Sequence, residues 1–180
     1  DIEISMKSMN VLNHLLDVSV KLGVTDIVIP CVDHASLQNE FSIDRFVNQV
    51  NLILEKLDKK NINLSLETDL APRPFAQLLD RFDSKNITVN YDIGNSASLG
   101  FCPLEELEAY GNKITDIHIK DRILNGGPVM LGKGNANFDL VFTKLKELDY
   151  QGPFIMQAYR DDEGIETFKE QYNWIQQYLN

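Results

Sequence analysis

"ITVNYD", residues 87–92, reads as a strand, and the parity of its side chains decides what kind of sheet it belongs to. Successive strand residues point to opposite faces. Ile87, Val89 and Tyr91 therefore share one side, and Thr88, Asn90 and Asp92 the other. "INLSLE", 62–67, divides the same way, with Ile62, Leu64 and Leu66 against Asn63, Ser65 and Glu67. "DIHIK", 116–120, sets Ile117 and Ile119 against Asp116, His118 and Lys120, and "FIMQ", 154–157, sets Phe154 and Met156 against Ile155 and Gln157. A parallel sheet covered by helices on both sides is apolar on both faces. Three of these four segments are apolar on one face only, which fits an α/β barrel of the (β/α)8 TIM type. There the helices cover the outside, and the interior turns polar toward the end that carries the chemistry.

Outward from these strands, the apolar spacing alternates between helical and strand-like. A helix is predicted over 5–22 (Met6, Met9, Leu12 and Leu16 on one face), closed by Gly23, and a buried strand over 25–32. A helix over 42–59, the strand at 62–68, a helix opened by Pro74 and the strand at 87–92 follow. Pro103 opens a short acidic helix that Gly111 ends, and 114–120 is the next strand. A glycine-rich loop at 125–136, a helix at 138–148, a buried strand at 153–158 and a helix at 163–179 complete the chain. Strict alternation argues for parallel strands joined by right-handed crossovers. No linker or shift in composition divides residues 1–180, so one domain is expected.

Composition narrows the function. The chain has 17 basic and 27 acidic residues, a net charge of −10, which disfavours nucleic acid and anionic membranes as partners. No apolar run approaches the roughly 20 residues of a membrane span. "DIEISMKSMN", 1–10, carries no export signal, and Cys31 and Cys102 lack metal-motif spacing. Free thiols in a reducing cytoplasm are the expected state. The expected partner is a small molecule, with a homo-oligomer as a further possibility.

Each strand places its most reactive side chain at its C-terminal end: Glu67, Asp92, His118 and Gln157. Barrels carry their chemistry at that end. Two carboxylates, an imidazole and an amide oxygen make a ligand set for a divalent cation such as Mn²⁺, Mg²⁺, Co²⁺ or Zn²⁺. Taken singly, a strand-end Asp is usually a loop cap, and a lone His a hydrogen-bonded structural residue. The metal reading rests on the coincidence across strands.

The ordered set "LSLETD", "YDIGNSASLG", "DIHIKDR", "LGKGNANFD" and "FIMQAYR" resembles the xylose-isomerase-like TIM barrel superfamily, and within it the sugar phosphate isomerase/epimerase branch that includes ketose 3-epimerases. The resemblance covers essentially the whole chain. It implies metal ligands at Glu67, Asp92 and His118, and a fourth at position 157, where the family has Glu and this chain has Gln. It also implies that the chain covers about five C-terminal βα units, strands four to eight of a partial barrel. Complete barrels of this kind need about 250 residues. The implied function is a metal-dependent isomerase or epimerase of sugars or sugar phosphates, working by proton abstraction next to a carbonyl through an enediolate. Glu67 is then the base, and Gln157 cannot serve as a second one, because a carboxamide does not titrate in this range. Alternatives are a polyol dehydratase of the same superfamily, or a non-catalytic relative. A DNA-damage endonuclease of the superfamily is opposed by the net charge of −10 and by the presence of three histidines alone.

Other positions carry softer expectations. Lys120 is a catalytic candidate that contacts substrate oxygens, or else pairs with Asp92. Asn95, Arg122, Lys133, Arg160 and His34 are candidates for binding substrate, the cations for holding a phosphate. Glycines 126, 127, 132 and 134 would let backbone N–H groups approach an anion. His14 is expected on a helix surface.

Overall fold

The computed structural model describes residues 2–179. Its strands are β1 (Asp26–Cys31), β2 (Asn63–Thr68), β3 (Ile87–Asp92), β4 (Ile114–Ile119), β5 (Asp121–Arg122), β6 (Pro128–Val129) and β7 (Phe154–Met156). The helices are α1 (Ile2–Leu22), α2 (Glu40–Asn51), α3 (Leu54–Lys60), α4 (Pro72–Leu79), α5 (Ile93–Leu99), α6 (Pro103–Tyr110), α7 (Phe138–Glu147) and α8 (Ile165–Leu179). One five-stranded sheet runs in the order β1-β2-β3-β4-β7, every neighbouring pair parallel, and β5 and β6 form a separate antiparallel ribbon. Sequential parallel order with helical crossovers is the arrangement expected of a barrel wall.

The two faces of the sheet divide as parity requires. Leu64, Leu66, Val89, Tyr91, Ile117 and Ile119 are buried in one core with Leu57, Phe75, Leu78, Leu107, Val141 and Ile175 from the helices. The opposite face buries polar groups instead: Ser65, Thr88, Asn90, Asp92, Asp116 and His118. Buried polar groups are costly unless paired, at about 1–3 kcal/mol each, and each of these residues has a hydrogen-bond partner or a charged neighbour, although Asn90 Oδ1 itself has none. Ser65 Oγ lies 2.9 Å from Thr88 Oγ1, 2.9 Å from Thr115 Oγ1 and 2.9 Å from Asp116 Oδ2. A register shift between β3 and β4 makes this possible. Val89 pairs with Ile114 but Asn90 with Asp116, so Thr115 is an extra residue. The bulge lets Ile114 face the core while Asp116 and His118 face inward.

Several elements differ from their sequence-based expectation. The helix expected over 42–59 breaks at Leu52 and Ile53 into α2 and α3. Helix α4 starts at Pro72 rather than Pro74, because both prolines fit a first turn whose N–H groups have no intrahelical partner. α5 has no apolar periodicity in "IGNSASL" and is started by Asp92, whose carboxylate accepts from Asn95 N–H at 2.7 Å. The expected buried strand at 153–158 is three residues at the sheet edge, and Ile155 is 41% exposed because nothing pairs with its far side among the described residues. Among the described residues, no helix is long and apolar enough to cross a membrane.

The glycine-rich loop is ordered around an internal anion. Asp121, fully buried, accepts from the N–H groups of Gly132 at 2.9 Å, Gly134 at 2.9 Å and Ala136 at 3.1 Å. Of the backbone donors that the sequence offers to a substrate anion, those of Gly132 and Gly134 are thus taken by the protein's own carboxylate, and that of Gly126 by Ile123 O at 2.9 Å. A Cβ on Gly134 would collide with that carboxylate and with the Arg122 carbonyl, whereas one on Gly127 would meet open space. Gly134→Ala should therefore destabilise the protein by about 1–3 kcal/mol in denaturant unfolding, while Gly127→Ala changes it by less than about 0.5 kcal/mol.

Candidate metal centre

The C-terminal ends of β2, β3 and β4 bring Glu67, Asp92 and His118 together, and all three are buried. One ligand atom from each lies within 4.8 Å of the others. His118 Nδ1 is 3.6 Å from Glu67 Oε2 and 3.8 Å from Asp92 Oδ2. The cause is register. Asp92 and His118 are direct partners across β3 and β4, and β2 is aligned so that Leu66 meets Val89. Glu67, the next residue, points to the same inner face.

Glu67 is held by two carboxamides. Asn95 Nδ2 donates to Oε1 at 2.7 Å, and Asn90 Nδ2 donates to Oε2 at 3.0 Å. Asn90 Nδ2 also lies 3.2 Å from His118 Nδ1, and its own Oδ1 is buried without a partner. Burial pushes the Glu67 carboxyl up, and the Asp92 charge adds to that, against the lowering effects of His118, the Asn95 hydrogen bond and Lys120. Two crowded, desolvated carboxylates beside an imidazole are a donor set that fits a divalent cation of the Mn²⁺ to Zn²⁺ series. A cation would offset both the burial and the Asp92 charge that raise Glu67.

The other positions singled out in the sequence fall into two groups. Lys120 is at the centre, with its Nζ 3.5 Å from Asp92 Oδ2 and donating to Gln157 Oε1 at 2.9 Å. The Gln157 amide oxygen therefore faces the ammonium, and its backbone N–H extends the ladder to Ile119 O at 3.0 Å. Asn95 is engaged with Glu67 and Asp92, and Arg122 donates from Nη1 to Asn95 Oδ1 at 2.9 Å and from Nε to Gly126 O at 2.9 Å. Lys133 and His34 are exposed, and His34 lines a groove beside α1 and β1. Arg160 is exposed on a cleft of about 830 Å³ that also contains Lys120, Gln157 and Phe168.

Sequence reasoning missed Asn90, which parity places on the inner face but whose double contact needs β2 and β4. It also missed Glu106 of α6, buried behind β3. Its carboxyl accepts from Tyr91 OH at 3.0 Å, Tyr110 OH at 2.9 Å and Ser96 Oγ. Burial pushes this carboxyl up while the three hydroxyls oppose the shift. The one sequence signal was an acidic residue inside an amphipathic helix, which ordinarily means a solvated face.

A protein of Haemophilus influenzae, provisionally named an L-ribulose-5-phosphate 3-epimerase, is 26% identical over 196 residues, covering 99% of this chain and 68% of that protein. An inosose dehydratase of Bacillus thuringiensis is 31% identical over 103 residues, 47% of this chain and 35% of the dehydratase. The chain thus spans between about one third and two thirds of the length of these relatives. Among solved structures, a D-tagatose 3-epimerase-like protein superimposes with a TM-score of 0.81 at 20% identity, over 99% of this chain and 71% of that one. The model of the xylose isomerase-like TIM barrel family matches residues 1–178, and the chain belongs to that family.

Proposed function

We propose that this chain supplies the metal centre and the base of a sugar isomerase or epimerase that moves a proton on the carbon next to a carbonyl. The observation that carries the reading is the buried Glu67–Asp92–His118 cluster facing the Lys120 ammonium. The name of the Haemophilus relative supports a ketose or ketose phosphate as substrate. Held at Glu67, Asp92 and His118, a divalent cation supplies Lewis-acid polarisation of the substrate carbonyl. Glu67, held between the Asn90 and Asn95 carboxamides, takes the proton. The electron pair moves to the carbonyl oxygen, and the Lys120 ammonium faces the resulting enediolate. Gln157 holds that ammonium and cannot return a proton from the opposite side. Return of the proton by Glu67 to the neighbouring carbon, with the substrate hydroxyl proton passing to the former carbonyl oxygen, gives a one-base isomerisation. Arg160, on the cleft shared with Lys120, is placed for a substrate phosphate.

Two further assignments belong to this reading. The chain, a single domain over 1–180, corresponds to units four to eight of the barrel. The edges β1 and β7 lack partners among the described residues, and Ile4, Val11 and Leu15 of α1 and Ile165 and Phe168 of α8 are exposed. The protein works in a reducing cytoplasm, where Cys31 stays an inert buried thiol, its pKa pushed up to about 12. A second reading, dehydration of a cyclic polyol, is favoured by the Bacillus relative and would use the same cluster.

Three outcomes test the proposal. Solvent deuterium exchange into D-allulose or L-ribulose 5-phosphate, run with Mn²⁺, should fall at least about 100-fold in Glu67→Gln; unchanged exchange removes Glu67 as the base. Asp92→Asn and His118→Ala should each weaken Mn²⁺ binding in calorimetry by more than the about 10- to 100-fold that loss of a ligand's hydrogen-bond partner costs, and chelation should abolish exchange until Mn²⁺ is restored. Gln157→Glu, which places a carboxylate on Lys120, should raise the ratio of 3-epimer to aldose product in chromatography. Loss of water from an inosose with no exchange into either ketose would favour the dehydratase.

A further inference from the structure

We propose that Arg122 is a positioning residue that acts on Glu67 through the Asn95 carboxamide. The proposal deepens the reading of Glu67 as the base and rests on it for its kinetic consequences. A guanidinium can only donate hydrogen bonds. Arg122 Nη1 lies 2.9 Å from the Asn95 side chain, so the atom facing it must be the amide oxygen. The amide nitrogen is then turned to Glu67, where it donates to Oε1 at 2.7 Å. The opposite orientation would set N–H against N–H on one side and oxygen against a carboxylate on the other. Arg122 therefore selects the only orientation of Asn95 in which both of its ends are satisfied.

The relay is fixed at each joint. Asn95 sits in the first turn of α5, its own N–H bonded to Asp92 Oδ1 at 2.7 Å, so its Cα cannot shift without disturbing a second carboxylate of the cluster. Arg122 is anchored a second time by Nε on Gly126 O at 2.9 Å, and that carbonyl also receives Ser98 Oγ at 3.2 Å. With Asn90 on Oε2, each oxygen of Glu67 has one amide donor, and the plane of the carboxylate is defined by both. Removing the guanidinium frees the Asn95 amide to rotate and leaves Oε1 without a directed donor. This differs from a phosphate-binding role for Arg122, which would touch only phosphorylated substrates.

The test uses the full chain with Mn²⁺, comparing wild type, Arg122→Met (similar length, no side-chain donor) and Arg122→Lys (one donor nitrogen retained), with D-allulose and L-ribulose 5-phosphate as probes. The relay requires kcat for proton exchange to fall about 10- to 100-fold in Arg122→Met with both sugars. KM should change less than about threefold, and Arg122→Lys should recover most of the loss. A rise in KM confined to the phosphorylated sugar makes Arg122 a phosphate ligand and overturns the proposal. A second measurement does not depend on turnover. By NMR, the Asn95 side-chain amide protons should exchange with solvent at least about tenfold faster in Arg122→Met than in wild type, with Arg122→Lys near wild type. Equal exchange in all three overturns the relay whatever the sugars do. Faster exchange in Arg122→Met, found together with a wild type that turns over neither sugar, keeps the relay and counts against Glu67 as the base.

Discussion

The structure is organised around a repulsion. Glu67 and Asp92 end adjacent strands on the same face, buried, with ligand atoms within 4.8 Å of each other and of His118. Two unit charges at about 5 Å repel by about 3 kcal/mol at an effective dielectric of about 20. Hydrogen bonds to a charged group contribute about 1.5–3 kcal/mol each. The donors that surround the pair, Asn90, Asn95 and the Asn95 backbone, are of the size needed to hold it, with Lys120 beside them. The elements nearby serve that balance: α5 starts on Asp92, and the Arg122 loop orients Asn95.

Below this layer the inner face carries hydroxyls. Ser65, Thr88 and Thr115 bond one another and Asp116, one residue pair deeper along the strands than Glu67, Asn90 and His118. The hydroxyl layer can satisfy itself, because each hydroxyl is both donor and acceptor. The carboxylate layer cannot, because ionised carboxylates only accept. That difference explains why the site at the strand ends gathers carboxamides and a lysine, and why its geometry depends on groups from β4, α5 and the following loop.

Three consecutive residues after β4 illustrate how one local segment serves three separate environments. Lys120 turns toward the Glu67–Asp92–His118 cluster, Asp121 turns into the loop and gathers three backbone N–H groups, and Arg122 reaches Asn95. Alternation along extended backbone sends neighbours to opposite sides, so this division of labour is a consequence of strand geometry. Gln157, the residue after β7, joins the same arrangement as the acceptor for Lys120.

Strand parity is a local property with a period of two, so the polar inner face and the strand-end residues Glu67, Asp92 and His118 could be read from the chain. The alternation of strands and helices was legible for the same reason, since each pattern is written within a dozen residues. The Thr115 bulge, the edge position of β7, the Asp121 nest and the orientation of Asn95 were not. The relevant partners lie far apart in sequence: Asn95 with Glu67, Arg122 with Asn95, Lys120 with Gln157. A carboxamide in a sequence has no direction, and a glycine-rich loop does not say which anion it encloses. Only the packing of parallel strands, which brings these residues within hydrogen-bond distance, decides which donor meets which acceptor.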